Sequence, residues 1–212
     1  MSRPTVRGGT RERILRTAGR LFAERGYHGT SIAELGAATG ISGPALYKHF
    51  PSKEAVLGEL LAGCSRRLLD GAGQLLAAGG DDAVVLGRLV EFHVDFALGE
   101  PELILVQDRD WAQLAEADRR AVRRLQRAYV ETWTAVLGRL RPELDAERRR
   151  ACVQAVFGLM NSTPHSVGGL ARPQMAALLR DLALTALLTG GCGTGSTPGG
   201  RTCPAAAAEA TG

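Results

Sequence analysis

The run Ser42-Gly43-Pro44-Ala45-Leu46-Tyr47-Lys48-His49 sets four small residues ahead of a phenol, an amine and an imidazole. Small side chains let the start of a helix approach another surface closely, and its unpaired backbone N–H groups favour a nearby phosphate. Groups of this size and polarity suit the base edges and sugar-phosphate walls of a DNA major groove. A second set of capable residues follows: Phe92, His93 and Phe96; Asp108, Arg109 and Trp111 within the segment Gln107–Trp111; Tyr129 and Trp133, four apart; and Phe157, Met160, Asn161 and His165. Aromatic surface with a few polar groups is the usual lining of a small-molecule site. Plainer readings stand beside this one. Aromatics at helical spacing build ordinary cores, His93 reads equally as a hydrogen-bonded core histidine, and Asp108 and Arg109 could pair with each other.

Other chemistry lacks its residues. Asp95, Asp108 and Asp110 have no histidine at metal-ligand spacing, and no Ser-His-Asp or Cys-His set is suggested. No catalytic residue, metal or cofactor is expected, and the chain does not read as an enzyme. Cys64, Cys152, Cys192 and Cys203 have neither CxxC nor zinc spacing, which points to a reducing, cytoplasmic setting. The Arg-rich N-terminus has no apolar stretch behind it, so no signal peptide is expected.

Charge is placed unevenly. The net charge is +4 over 212 residues. Residues 1–59 hold nine Lys or Arg against five Asp or Glu, and the remainder is neutral. A basic head on a neutral body suggests that the head meets a polyanion.

These residues must be held by helices, because apolar residues recur at helical spacing almost throughout and no segment alternates as a strand would. Ile14, Ala18, Leu21 and Phe22 line a first helix, closed by Gly26. Ser31 and Glu34 have capping-box spacing and open a second helix that ends at Thr39-Gly40. Ser42 can cap a third, and Ser52 a fourth running towards Leu76. Further helices are expected at about 82–98, from Pro101, at about 115–140 (stopped by Pro142), at 146–162 and at 173–189. The 82–98 stretch is apolar nearly all round and is expected to be buried on all sides. The 173–189 stretch is too short and too charged to span a membrane, so a subunit interface is the better account of its leucines. Residues 190–212, rich in Gly, Pro and Ala, are expected to form a disordered tail. Two short helices turning at Gly40, closed by Ile32, Leu35, Ile41 and Leu46, make a helix-turn-helix.

The positions Arg13-Ile14-Leu15, Ala18, Leu21-Phe22, Gly26-Tyr27, Thr30-Ser31, Ile32-Ala33, Gly40-Ile41-Ser42, Leu46-Tyr47, His49-Phe50 and Ser52-Lys53-Glu54 resemble the N-terminal domain of TetR-family regulators. The likeness covers about residues 10–60. It implies that Thr30 holds a phosphate and that Ser42, Gly43, Pro44 and Ala45 face bases. It also implies that Tyr47 and His49 reach backbone or base edges and that Lys53 pins a phosphate; Lys48 is less constrained. The body from Phe92 to His165 is similar to regulators of acyl-CoA metabolism in actinobacteria. On this reading Arg119, Arg120, Arg123, Arg124 and Arg127 are either a solvated face or a rim attracting an anionic ligand such as an acyl-CoA. The N-terminal arginines either reach DNA or simply solvate the first helix.

The expectation is therefore an all-α chain: a DNA-binding head with a basic arm (1–51), a helical effector-binding and dimerisation body (52–189) and a tail (190–212). It would act as a homodimeric repressor, without contact to membrane. It would bind a palindromic double-stranded operator and be released by a small-molecule effector. The alternatives are a ligand-blind architectural DNA binder and an all-helical enzyme with a vestigial head.

Overall fold

A computed structural model of the chain describes residues 9–165 and 169–189. The predicted tail at 190–212, Arg3, Arg7 and the loop glycine Gly168 lie outside the described residues. Every regular element among the described residues is helical. The head comprises α1 (Thr10–Arg25), α2 (Ile32–Thr39) and α3 (Gly43–His49). The body comprises α4 (Lys53–Ala77), α5 (Asp82–Gly99), α6 (Pro101–Asp110), α7 (Glu116–Leu140), α8 (Ala146–Met160) and α9 (Arg172–Thr189).

The helix ends follow local chemistry. Ser31 and Glu34 form both bonds of a capping box at the start of α2. Two otherwise orphaned backbone donors are thereby satisfied. Gly40 closes α2 in the left-handed region (φ 67°), where a side chain would be strained. Ser52 accepts from the Ala55 N–H at α4, Asp81 from Ala83 at α5, and Asp145 from Arg148 at α8. Ser42 occupies the N-cap position of α3 without a side-chain bond to the helix.

Two apolar clusters organise the packing. Ile14, Ala18, Phe22, Leu35, Leu46 and Phe50 close the head upon Val56, Leu57 and Leu61 of α4, and the cluster continues to Leu103 and Val106 of α6. The second cluster gathers Leu86, Leu89 and Val90 of α5, Trp133 and Leu137 of α7, Val153 and Met160 of α8, and Ala183 and Leu187 of α9. Each such side chain withdrawn from water contributes about 1.5–3 kcal/mol before conformational entropy is set against it. α4 belongs to both units: its first half packs under the head and its second half carries Ala72 into the body core.

α5 departs from its predicted burial. Val84, Arg88, Glu91 and Asp95 form an exposed strip along it, because α4, α7 and α9 cover its other sides and no described helix packs over this one. Among the described residues, no helix is long and apolar enough to cross a membrane.

Candidate functional site

Along α3, Leu46 is fully buried, whereas Pro44, Tyr47 and Lys48 are exposed. Spacings of three and four residues set these three on one face. Tyr47 is 54% exposed, a large apolar ring left uncovered by its own chain. Ser42 is also exposed, Gly43, Ala45 and His49 are half-buried, and Phe50 is core. Ser42, Pro44, Tyr47 and Lys48 thus offer hydroxyl, apolar, phenol and ammonium groups on the outer side of the helix-turn-helix.

Two residues implied as phosphate ligands do other work. Thr30 is only 1% exposed, and its hydroxyl donates inward to the carbonyls of Gly26 (3.0 Å) and Leu21 (3.3 Å). With its hydroxyl spent there, Thr30 tethers the end of α1 and does not face outward; Ser31 holds the exposed cap position. Lys53 donates to the carbonyls of Tyr27 (2.7 Å) and Thr30 (2.8 Å), with its ammonium 4.1 Å from the centre of the Tyr27 ring. Two of its three donors are therefore committed to holding the α1–α2 connection. Tyr27 in turn donates to Glu54 (2.6 Å), which holds that carboxylate below the usual carboxylate range. Arg11 is a clamp as well. It binds Glu59, donates to the His49 carbonyl (2.6 Å) and lies over the Phe50 ring. Sequence reasoning missed these three uses because their acceptors are mostly backbone carbonyls, which no residue type announces.

In the body, α4, α5, α6, α7 and α8 enclose a cavity of about 410 Å³. Its size falls within the roughly 300–1,000 Å³ of small-molecule sites. Five predicted residues line it: His93, Phe96, Tyr129, Phe157 and Asn161. His93 is fixed on both ring nitrogens. Its Nε2 lies 3.1 Å from Asn161 Oδ1 and its Nδ1 3.2 Å from the Tyr129 hydroxyl. An amide oxygen only accepts, so Nε2 carries the proton and donates, while Nδ1 accepts from Tyr129. The ring stacks on Phe157 at 4.7 Å. Burial pushes the His93 pKa down to about 4, against the Asn161 bond, which raises it. The imidazole is thus neutral near pH 7. Burial also raises the Tyr129 phenol, keeping it a hydrogen-bond donor.

The other seven candidates lie elsewhere. Trp133 and Met160 are fully buried in the body core and do not line the cavity. Phe92 lies against Gly71, where a Cβ would stand 2.3 Å from its ring, so α4 and α5 approach closely there. Asp108 faces His165 at 3.8 Å, with both side chains largely exposed. Arg109 binds the last-turn carbonyls of α1, and Trp111 packs beneath the head with Arg123 over its ring.

The cavity is also lined by residues whose types do not mark them in the sequence as ligand contacts. Cys64, Ser65 and Leu68 come from α4, Leu103, Ile104 and Gln107 from α6, and Gln126 and Val130 from α7. Three exposed arginines also line it, Arg123 and Arg127 from α7 and Arg150 from α8, joined by Gln154. Arg150 lies 4.0 Å from Glu131. Arg127 has no ion-pair partner among the described residues. Burial pushes the Cys64 thiol up to about 12, so it is a wall residue and not a nucleophile at neutral pH. The site therefore runs from a neutral polar floor, through apolar walls, to a cationic mouth.

A helix-turn-helix with one exposed polar face defines the head as that of a DNA-binding protein. The family model for "Bacterial regulatory proteins, tetR family" matches residues 14–60, and that for "Tetracyclin repressor-like, C-terminal domain" matches residues 81–187. The chain belongs to the TetR family of transcriptional regulators. It is 28% identical to the transcriptional repressor KstR2 of Rhodococcus jostii over 148 residues, 66% of this chain and 72% of that protein. A TetR-family regulator from Bordetella parapertussis superposes with a TM-score of 0.75 at 26% identity, over 86% of this chain and 96% of that one. FadR of Bacillus subtilis, solved with stearoyl-CoA, shares the fold at a TM-score of 0.70 and 17% identity, over 84% of this chain and 97% of that one.

Proposed function

We propose that this regulator is a cytoplasmic homodimeric repressor that binds a palindromic operator through α3 and is released by an amphipathic anion, such as an acyl-CoA, held in the body cavity. The observation that carries the reading is the cavity's polarity. A tail would lie among Phe96, Leu68 and Val130, and a charged head group would meet Arg123, Arg127 and Arg150 at the mouth. Arginine forks suit phosphate and carboxylate oxygens. A protein of the same fold, FadR, was solved in complex with stearoyl-CoA, which supports such a ligand here.

Dimerisation is supported by an uncovered face on the last two helices. Ala151, Ala155 and Gly158 of α8 and Leu178 and Leu182 of α9 are exposed, although Leu179, Ala183 and Leu187 of the same helix are buried. Pairing these faces across a two-fold axis would make a four-helix bundle and set two α3 helices for two half-sites. Pro44, Tyr47, Lys48 and Ser42 would face the groove, with Gly43 and Ala45 allowing close approach. His49, and the third donor of Lys53, would meet phosphate.

Fluorescence anisotropy tests this reading on DNA from upstream of the protein's own gene and on scrambled DNA, with and without octanoyl-CoA or stearoyl-CoA. The expected result is a preference for the native site of at least ~10³-fold. A saturating acyl-CoA should weaken it by roughly tenfold or more. Equal binding to both DNAs that collapses with salt would establish the architectural alternative. Specific binding indifferent to either thioester would refute the ligand assignment.

A further inference from the structure

Two cations from two different cavity-wall helices grip the connection between α1 and α2. Lys53, at the start of α4, holds the carbonyls of Tyr27 and Thr30. Arg109, at the end of α6, donates to the carbonyl of Phe22 and, at 3.2 Å, to that of Ala23. These are last-turn carbonyls of α1, at the negative end of its dipole; that of Phe22 also accepts from the Gly26 N–H at 2.8 Å, so the guanidinium takes its second lone pair. Arg109 is held from behind by Asp110, at 3.2 and 3.3 Å. Asp110 is only 4% exposed. A charge-assisted fork fixed by a buried carboxylate is oriented as well as attracted.

We infer that Arg109 is the residue through which occupancy of the cavity is passed to the DNA-reading head; the inference rests on the cavity being the effector site. α6 is a single ten-residue helix. Its residues Leu103, Ile104 and Gln107 line the cavity, and Arg109 follows two positions later. Leu103 also touches the head, since a Cβ on Gly19 of α1 would meet its Cδ2 at 3.3 Å. A helix this short moves as one body, so a displacement at Ile104 arrives at the guanidinium. α4, the opposite anchor, lines the same cavity with Ser65 and Leu68. A ligand that changes the spacing of α4 and α6 therefore changes the spacing of Lys53 and Arg109. The segment held between them, from Phe22 to Thr30, sets the angle at which α2 and α3 leave α1. Lys53 alone would carry the head rigidly with α4. The second anchor turns a separation of two helices into a rotation of the head.

The test is hydrogen–deuterium exchange on the full chain, with two cavity-filling variants, Ser65→Phe and Leu68→Trp, standing in for a ligand. Each filler is made in the parent and in Arg109→Lys. Each is also made in the double variant Arg109→Met, Asp110→Asn, which removes the fork without stranding a buried carboxylate. In the parent, the fillers should change exchange across residues 23–30 by roughly fivefold or more, the low end of ordinary coupling between sites. In the double variant that change should fall to within about twofold, while the local effect of the fillers around Tyr129 persists. Arg109→Lys should restore part of it. Undiminished transmission in the double variant, or fillers that never reach residues 23–30 in the parent, would overturn the inference. Stearoyl-CoA forms a separate arm. If it protects nothing around the cavity, the effector assignment fails, and the fillers still decide the role of Arg109.

Discussion

Replacing Tyr47 by alanine should separate DNA reading from folding. Tyr47 is 54% exposed and its neighbour Leu46 fully buried, so two adjacent truncations on α3 test opposite faces. Tyr47→Ala removes a ring that its own chain hardly covers, and the stability change should stay within about 0.5 kcal/mol. Leu46→Ala empties a site in the head core and should cost about 2–5 kcal/mol. On DNA the order reverses. A base or sugar contact is worth about 1–3 kcal/mol, so Tyr47→Ala should weaken the operator complex roughly five- to 150-fold. Salt adds a second axis. Removing a phenol releases no counterion, so the slope of log K against log salt should match the parent. Lys48→Ala should make that slope shallower by about 0.9, the contribution of one phosphate contact. Anisotropy titrations across a salt series, with urea melts of each variant, read both quantities. Tyr47→Ala that binds the operator within twofold of the parent would refute the placement of this face in the groove. An unchanged slope for Lys48→Ala would remove Lys48 from the phosphate contacts.

Three further outcomes follow from the geometry. His93, depressed by burial to about 4, keeps the folded state from binding a proton that the unfolded chain takes at about 6.5. Its contribution is therefore fully present above the unfolded value and is lost as pH falls towards the folded one. Between pH 7 and 5 this amounts to about 2 kcal/mol. Glu34, Glu54 and Glu59, all lowered by hydrogen bonds, lose theirs further towards acid. Urea melts should show the decline in the parent and a flatter profile in His93→Gln; equal declines would mean His93 is not the group. Gly36→Ala would put a Cβ 2.7 Å from the Ile41 carbonyl oxygen, backbone that cannot swing aside. It should cost about 1–3 kcal/mol and weaken DNA binding, with the body's ligand affinity unchanged. An unaltered melting temperature would show the turn to be more pliant than this. Leu178→Glu with Leu182→Glu should yield a monomer by sedimentation velocity; a persistent dimer would place the interface elsewhere.

Helix ends were legible in the sequence because a cap is a local bargain between residues three or four apart. Ser31 with Glu34, Ser52 with Ala55, and Gly40 at positive φ all fall where the sequence puts them. Burial around a helix is not local. The apolar run of α5 predicted cover on every side, but whether Val84 is covered depends on a neighbour far along the chain, and none of the described residues supplies one. The head shows the same limit. Leu46 inside and Tyr47 outside could be anticipated from amphipathic spacing. That Lys53 and Arg109 would end on the carbonyls of Tyr27, Thr30, Phe22 and Ala23 could not, since a carbonyl has no letter of its own.

The arginine stripe of α7 shows why a site is harder to read than a fold. In sequence Arg119, Arg120, Arg123, Arg124 and Arg127 look alike, and a solvated face and a ligand rim have the same spelling. In three dimensions they divide. Arg119 donates to the carbonyls of Ala112 and Leu114, and Arg120 pairs with Glu116. Of the five, only Arg123 and Arg127 line the cavity, and they are joined there by Arg150, which α8 supplies. A solvated face becomes a rim when a second helix brings its own cation to the same cavity, because neighbouring cations add their pull on one anion. Depth divides the aromatics in the same way. Tyr129 and Trp133 share a face of α7, but the cavity reaches the first and the second is sealed into the core. Periodicity names the face and leaves open how far along it the packing closes. The distinction between core and cavity is set by the volumes of residues on other helices, among them the small Ser65 of α4, which lines the same cavity as His93.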